Sequence, residues 1–153
     1  MSIWKRALNI ESINNFSSNT LVSHLGIKIT QAGEDYLEGT MPVDDRTVQP
    51  YRLLHGGASC VLAESLGSIA ANFCIDTNEF MAVGQHIEAT HLRPALKGEV
   101  RGRAKAIYIG KSSQTWRIEI FNDENKLICD SKIILAIVKK NNQFNFFKWS
   151  FDF

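Results

Sequence analysis

One stretch dominates what this chain can fold into: Gly56-Gly57-Ala58-Ser59-Cys60-Val61-Leu62-Ala63-Glu64-Ser65-Leu66-Gly67-Ser68-Ile69-Ala70-Ala71, running on to about residue 75. It has no two-residue alternation, it is longer than an ordinary strand, and small or apolar residues surround its whole circumference. That pattern predicts a helix buried on nearly every side. At a rise of 1.5 Å per residue, such a helix spans about 30 Å, the width of a small domain. The rest of the chain has to wrap around it. The stretch holds no Lys or Arg and a single acid, Glu64. Burying an unpaired carboxylate costs a sizeable part of a domain's net stability. Glu64 is therefore desolvated, unusually hydrogen-bonded, or at work.

The flanks read as strands. Residues 2–25 look helical, with Ser2 capping a first short helix and residues 11–16 forming a second, until Gly26 stops them. Residues 27–43 turn strand-like, with a turn at 33–35. Pro42 and Pro50 bracket a polar loop over 43–51. After the helix, residues 81–93, 100–109, 113–121 and 127–138 read as four strands joined by short turns, which predicts an antiparallel meander. Alternation in the first of these puts Val83, Gln85, Ile87, Ala89, His91 and Arg93 on one face. The architecture expected is α+β: an antiparallel sheet wrapped around one central helix, about 56–75. Residues 1–140 make a single domain. Residues 141–153 are a C-terminal extension crowded with Phe144, Phe146, Phe147, Trp149, Phe151 and Phe153. That much aromatic surface is expected to pack on the body or on a neighbouring subunit, or else to act as a lid.

A length of 153 residues suits one core. The net charge of +1 gives no reason to expect a nucleic-acid partner. No apolar run approaches a membrane span, and Met1-Ser2-Ile3-Trp4-Lys5-Arg6 is not followed by the apolar stretch of a signal peptide. Cys60, Cys74 and Cys129 are an odd count without ligand spacing, and His24, His86 and His91 show none either. Reduced thiols, a cytoplasmic location and no metal are expected.

The run Gln49-Pro50-Tyr51-Arg52-Leu53-Leu54-His55-Gly56-Gly57-Ala58-Ser59 leads straight into the helix of Glu64. Two glycines at a helix start allow close approach to the backbone. The N–H groups there suit a polarised carbonyl or oxyanion. Glu64, two turns further on and expected to face the same space, completes an acyl-transfer site that needs neither serine nor cysteine. Each of these residues also has a structural reading. Glu64 can be a carboxylate held by backbone or by an arginine, His55 a helix cap, Ser59 and Ser65 packing residues, and Lys111 and Arg93 solvated charges.

The chain resembles the hotdog-fold acyl-CoA thioesterases. The residues that carry the resemblance are Met41-Pro42-Val43-Asp44-Asp45-Arg46-Thr47-Val48-Gln49-Pro50, Leu54-His55-Gly56-Gly57-Ala58-Ser59, Leu62-Ala63-Glu64-Ser65-Leu66-Gly67-Ser68 and His91-Leu92-Arg93. The branch it is most similar to holds the 1,4-dihydroxy-2-naphthoyl-CoA thioesterases, the 4-hydroxybenzoyl-CoA thioesterases with a helix-borne glutamate, and the phenylacetic-acid-pathway thioesterases. The resemblance implies Glu64 as nucleophile or general base and the Gly56 N–H as oxyanion donor. It also implies Gln49 and His55 as orienting residues and Ser68 as a contact to water or acyl group. CoA would be held by Gly57, Val83, Gly84, His91, Leu92, Arg93, Pro94, Tyr108, Ile109, Gly110, Lys111, Ser112 and Ser113. The reaction implied is acyl-CoA hydrolysis without metal or redox cofactor, with CoA part of substrate and product. The resemblance further implies a site across a homodimer interface, with Glu64 from one subunit and the Gln49-to-Gly57 loop from the other, and family members often pair dimers into tetramers. An acyl-carrier-protein thioesterase of the proofreading type and a non-catalytic acyl-CoA-binding module remain alternatives. A hotdog dehydratase needs a differently placed His–acid motif, which the chain lacks. One residue is inserted before the strand that starts near Met81, and the resemblance does not reach the aromatic extension.

Overall fold

The computed structural model describes residues 2–140, and the aromatic extension over 141–153 lies outside them. The elements run α1 (Ile10–Phe16), α2 (Leu21–His24), β1 (Lys28–Ala32), β2 (Tyr36–Pro42), α3 (Gly56–Phe73), β3 (Phe80–His91), β4 (Glu99–Ile109), β5 (Ser113–Phe121) and β6 (Leu127–Lys139). The apolar stretch is α3, and it ends two residues earlier than its composition predicts. Cys74 caps it, and a turn closed on Asp76 leads into β3. Leu62, Leu66 and Ala70 of α3 are fully buried, as are Trp116, Ile118, Ile133 and Leu135 of the sheet. Each buried Leu or Ile contributes roughly 1.5–3 kcal/mol relative to exposure. The helix approaches the sheet closely because Gly67 has no side chain. A Cβ there would stand 2.5 Å from Cγ2 of Ile133.

All six strands pair antiparallel in the order β1-β2-β4-β5-β6-β3. The expected meander holds for β4, β5 and β6 but not for β3. Both sides of β4 are occupied, by β2 and β5, so β3 lies at the far edge on β6. The 92–98 link therefore crosses the end of the sheet. Leu92 N–H donates to Ile128 O on the way, and Ala95 O accepts from Leu54 N–H.

The expected facing of β3 also needs correction. The register shifts between Gly84 and His86, leaving Gln85 as the extra residue of a β-bulge. Gly84 pairs with Leu135 and Ile87 with Ile133, both on the buried face, whereas Val83 pairs with Ala136 on the other. Val83 and Ile87 thus face opposite ways. Asn72 pins the start of β3 to α3: Ala82 N–H donates to its Oδ1 at 3.1 Å, and its Nδ2 donates to Ser68 O at 2.9 Å.

Ser2 caps no helix. Residues before Ile10 run extended, with Ile3 N–H on Glu34 O and Lys5 N–H on Phe73 O. The Trp4 ring stacks on Trp116 with centroids 6.1 Å apart, and its Nε1 donates to Gly33 O. A stacked aromatic pair with Trp116 fully buried is worth more than the weak helix propensity of a short polar stretch. The second expected helix is α1, capped by Asn9, whose side chain accepts from Ser12 N–H.

Candidate active site

The start of α3 offers one free donor. His55 is the N-cap residue, and its Nδ1 accepts from Gly57 N–H at 2.8 Å, so the neutral ring carries its proton on Nε2. His55 N–H donates to Thr47 O, while Ala58 and Ser59 N–H both donate to His55 O. Among the first-turn amides, only that of Gly56 has no partner among the described residues. The His91 ring explains the glycine: a Cβ on Gly56 would lie 2.8 Å from its Nε2. Gly56, His91, Leu92, Arg93, Pro94 and Gln49 line one cleft of about 360 Å³. Gln49 Oε1 accepts from Tyr51 N–H, which shapes the loop, and Arg93 Nη1 donates to Leu127 O at 2.6 Å.

Glu64 opens elsewhere. It lines a second cleft, of about 350 Å³, together with Ser68 one turn on, Ser65, Ile69, Asn72 and Phe73 of α3. The opposite wall comes from the N-terminal segment: Arg6, Ile13, Phe16, Ser17, Thr20 and Val22. The carboxylate makes no hydrogen bond or ion pair among the described residues. Burial pushes its pKa above the ordinary glutamate value. Gly84 gives it room, because a Cβ on Gly84 would stand 2.2 Å from Glu64 Oε1. Cys60, on the same helix, is held as a thiol by burial and then by the Glu64 charge. Burial raises Cys74 to about 12 and Cys129 to about 11, so none of the three offers a thiolate nucleophile.

Within one subunit, then, Gly56 and Glu64 line different clefts. Eight residues separate them on α3, about 12 Å along the axis. The residues expected around CoA divide in the same way. Val83 and Gly84 lie at the Glu64 end of β3, and Ser113 pairs with Ala136 beside Val83. Tyr108, Ile109, Gly110, Lys111, Ser112 and Ser113 form the β4–β5 hairpin at that end. Gly110 N–H donates to Ser113 O, and the amides of Lys111 and Ser112 keep no partner among the described residues. His91 to Pro94 lie at the other end, with Gly56 and Gly57. Gly84 and His91 are about 20 Å apart along the strand. Ser65 donates to Val61 O and Ser59 is buried, so both are packing residues. Among the described residues, no group of three or more His, Cys, Asp or Glu could hold a metal ion.

Sequence reasoning missed the N-terminal wall of the Glu64 cleft. Ile13, Phe16 and Val22 read as an ordinary amphipathic pattern, and only the docking of α1 and α2 beside α3 turns them into lining.

A central helix wrapped by an antiparallel sheet, with a bare carboxylate on that helix and a free amide at its start, is the arrangement of a thioester hydrolase. The chain belongs to the thioesterase superfamily, whose model matches residues 51–129. It is 46% identical over 136 residues to the 1,4-dihydroxy-2-naphthoyl-CoA hydrolase of Escherichia coli, covering 89% of this chain and 99% of that one. It is 45% identical over 136 residues to the proofreading thioesterase EntH of Cronobacter turicensis, covering 89% of this chain and 98% of that one. The crystal structure of a thioesterase from Haemophilus influenzae superposes with a TM-score of 0.87 at 46% identity, covering 90% of this chain and 95% of that one. The protein is a hotdog-fold thioesterase. No helix of the described residues is long and apolar enough to cross a membrane.

Proposed function

We propose that the protein hydrolyses an acyl-CoA thioester carrying an aryl or other bulky acyl group, such as 1,4-dihydroxy-2-naphthoyl-CoA or hydroxybenzoyl-CoA, to free acid and CoA. The observation that carries this reading is Glu64. It is a carboxylate without a partner among the described residues, seated against Gly84 at an apolar cleft large enough for a small-molecule group.

The two half-sites meet if two β3 edges pair antiparallel about a two-fold axis near Ile87. That pairing sets the Gly84 end of one strand against the His91 end of the other. Gly56 of one subunit then polarises the thioester carbonyl while Glu64 of the other attacks it or takes a proton from an attacking water. The carbonyl carbon gains an oxygen, and the CoA sulfur leaves with the pair of the broken C–S bond and takes up a proton. His55 holds the donor loop by its cap, Gln49 aims the carbonyl, and Ser68 offers its hydroxyl to water or acyl group. Lys111 and Arg93 supply cations for the CoA phosphates, and the amides of Lys111 and Ser112 supply donors. The reaction consumes only water, and the working unit is a homodimer, pairing further into a tetramer.

A second reading, a carrier-protein thioesterase of the proofreading type, is favoured by the likeness to EntH. Steady-state rates over aromatic, short-chain and long-chain acyl-CoAs, with one carrier-protein thioester included, separate the two. In the same assay Glu64→Gln is expected to lower turnover by at least about 10²-fold on the preferred substrate. A purified, folded variant that turns over at the unmutated rate overturns the assignment of Glu64.

A further inference from the structure

Glu64, Ser68 and Asn72 follow one another at intervals of four along α3, so they lie on one helix face. The last of them reaches across to β3. Asn72 Oδ1 accepts from Ala82 N–H at 3.1 Å, and its Nδ2 donates to Ala82 O at 3.4 Å and to Ser68 O at 2.9 Å. One side-chain amide thus takes both backbone groups of a single strand residue while staying anchored on its own helix. β3 is an edge strand, held along one side by β6. The β6 ladder sets where β3 lies within the sheet, and the Asn72 amide sets how closely its first residues approach α3.

Gly84 stands two residues beyond Ala82, about 7 Å along the strand and on the same face. A Cβ there would lie 2.2 Å from Glu64 Oε1. The backbone against which the carboxylate rests is therefore fixed by a hydrogen-bonded clamp at the preceding position of that face. The titratable groups about Glu64 are Cys60, one turn back on α3, and Arg6, across the cleft. The α1 and α2 residues of the cleft carry no charge. On β3 past Gly84, His86 and Glu88 are exposed and lie 3.7 Å from each other. Asn72 adds no charge to this set, so it acts on the carboxylate through geometry and access of water.

We propose that Asn72 is a positioning residue for Glu64: by clamping Ala82 to α3 it sets the Gly84 backbone against the carboxylate and keeps water from that side. The inference deepens the proposed function, since it rests on Glu64 as the reacting group. Without the clamp, the first residues of β3 lift from α3 and water reaches the carboxylate.

The test compares the unmutated chain with Asn72→Leu, Asn72→Ala and Ser131→Ala. Alanine is a much better helix former than asparagine, so Asn72→Ala folds even if the bulkier leucine does not. Ser131→Ala removes the hydroxyl bond to Glu88 O, a clamp on β3 four residues past Gly84. Glu64 is titrated in each substrate-free chain by carbon NMR of labelled glutamate, its resonance assigned by its loss in Glu64→Gln. Both Asn72 variants should titrate nearer to the ordinary value of 4.5. Their kcat should fall at least about tenfold, with KM held within about threefold. Ser131→Ala should match the unmutated chain in all three. An unmoved titration overturns the proposal whatever happens to turnover. So does an equal shift in Ser131→Ala, or an unchanged kcat where Glu64→Gln is impaired. Failure of the thioesterase reading shows separately, as Glu64→Gln keeping the unmutated rate, and the titration then still decides whether Asn72 seats the carboxylate.

Discussion

Glu64 sets the pH response. Its ordinary pKa is 4.5, and burial raises it in the folded chain. Between the ordinary and the raised value the folded state keeps a proton that the unfolded state releases, so unfolding loses a proton and stability falls as pH rises through that window. Below the ordinary value the penalty is absent, and above the raised value it is complete. Glu64→Gln is thus expected to raise the thermal midpoint at pH 7 while leaving it unchanged at pH 4; a variant no more stable at pH 7 contradicts the desolvation argument. On the proposed role of Glu64, the same shift is expected to displace the acid limb of kcat/KM above 4.5, because only an ionised carboxylate could attack or accept a proton. Gly84 is the companion residue. A methyl group there meets Glu64 Oε1, the free end of a flexible side chain, so Gly84→Ala should move the carboxylate and spare the fold. Displacement by about 1 Å is expected to cost about 10²-fold in turnover. Full activity with an unchanged melting profile counts against Gly84 as the seat of the carboxylate.

At the scale of elements, the close packing of α3 on β6 has its own test. Gly67→Ala gains about 1 kcal/mol of helix propensity. It also drives a methyl group into Ile133 Cγ2, which hangs on a β-branched side chain and cannot swing away, and such overpacking costs about 1–3 kcal/mol. The midpoint of urea unfolding should therefore fall; a rise means the helix tilts at no cost.

Elements carrying their own pattern were legible in the sequence. The uninterrupted apolar run marked α3, and alternation and turn residues marked β4 to β6. Three features were not legible, because they depend on partners distant in sequence. The place of β3 follows from β2 occupying the side of β4 that a hairpin would have used. The bulge at Gln85 has no signature in a polar residue of an alternating run. The extended N-terminus follows from Trp4 reaching Trp116. Within one subunit Gly56 and Glu64 line different clefts, so a site that uses both has to draw on two subunits.

That separation makes the whole assembly testable. If each site combines Glu64 of one subunit with the Gln49-to-Gly56 loop of another, Glu64→Gln and Gln49→Ala chains, each impaired alone, should regain activity when unfolded together and refolded. Random pairing makes half the dimers mixed, each with one intact site, and so gives about a quarter of the unmutated rate. No gain over the separate variants refutes the shared site. The bulge at Gln85 has a bearing on how such pairs end. A long strand with a bare edge invites further strands to add without limit, the route to fibres and precipitates. An extra residue near the middle twists that edge, so a flat third strand finds no straight template, whereas a copy bulged at the same place can match it. If the β3 edges do pair in this way, the bulge at one glutamine residue sets an end to the assembly rather than a start to open-ended growth.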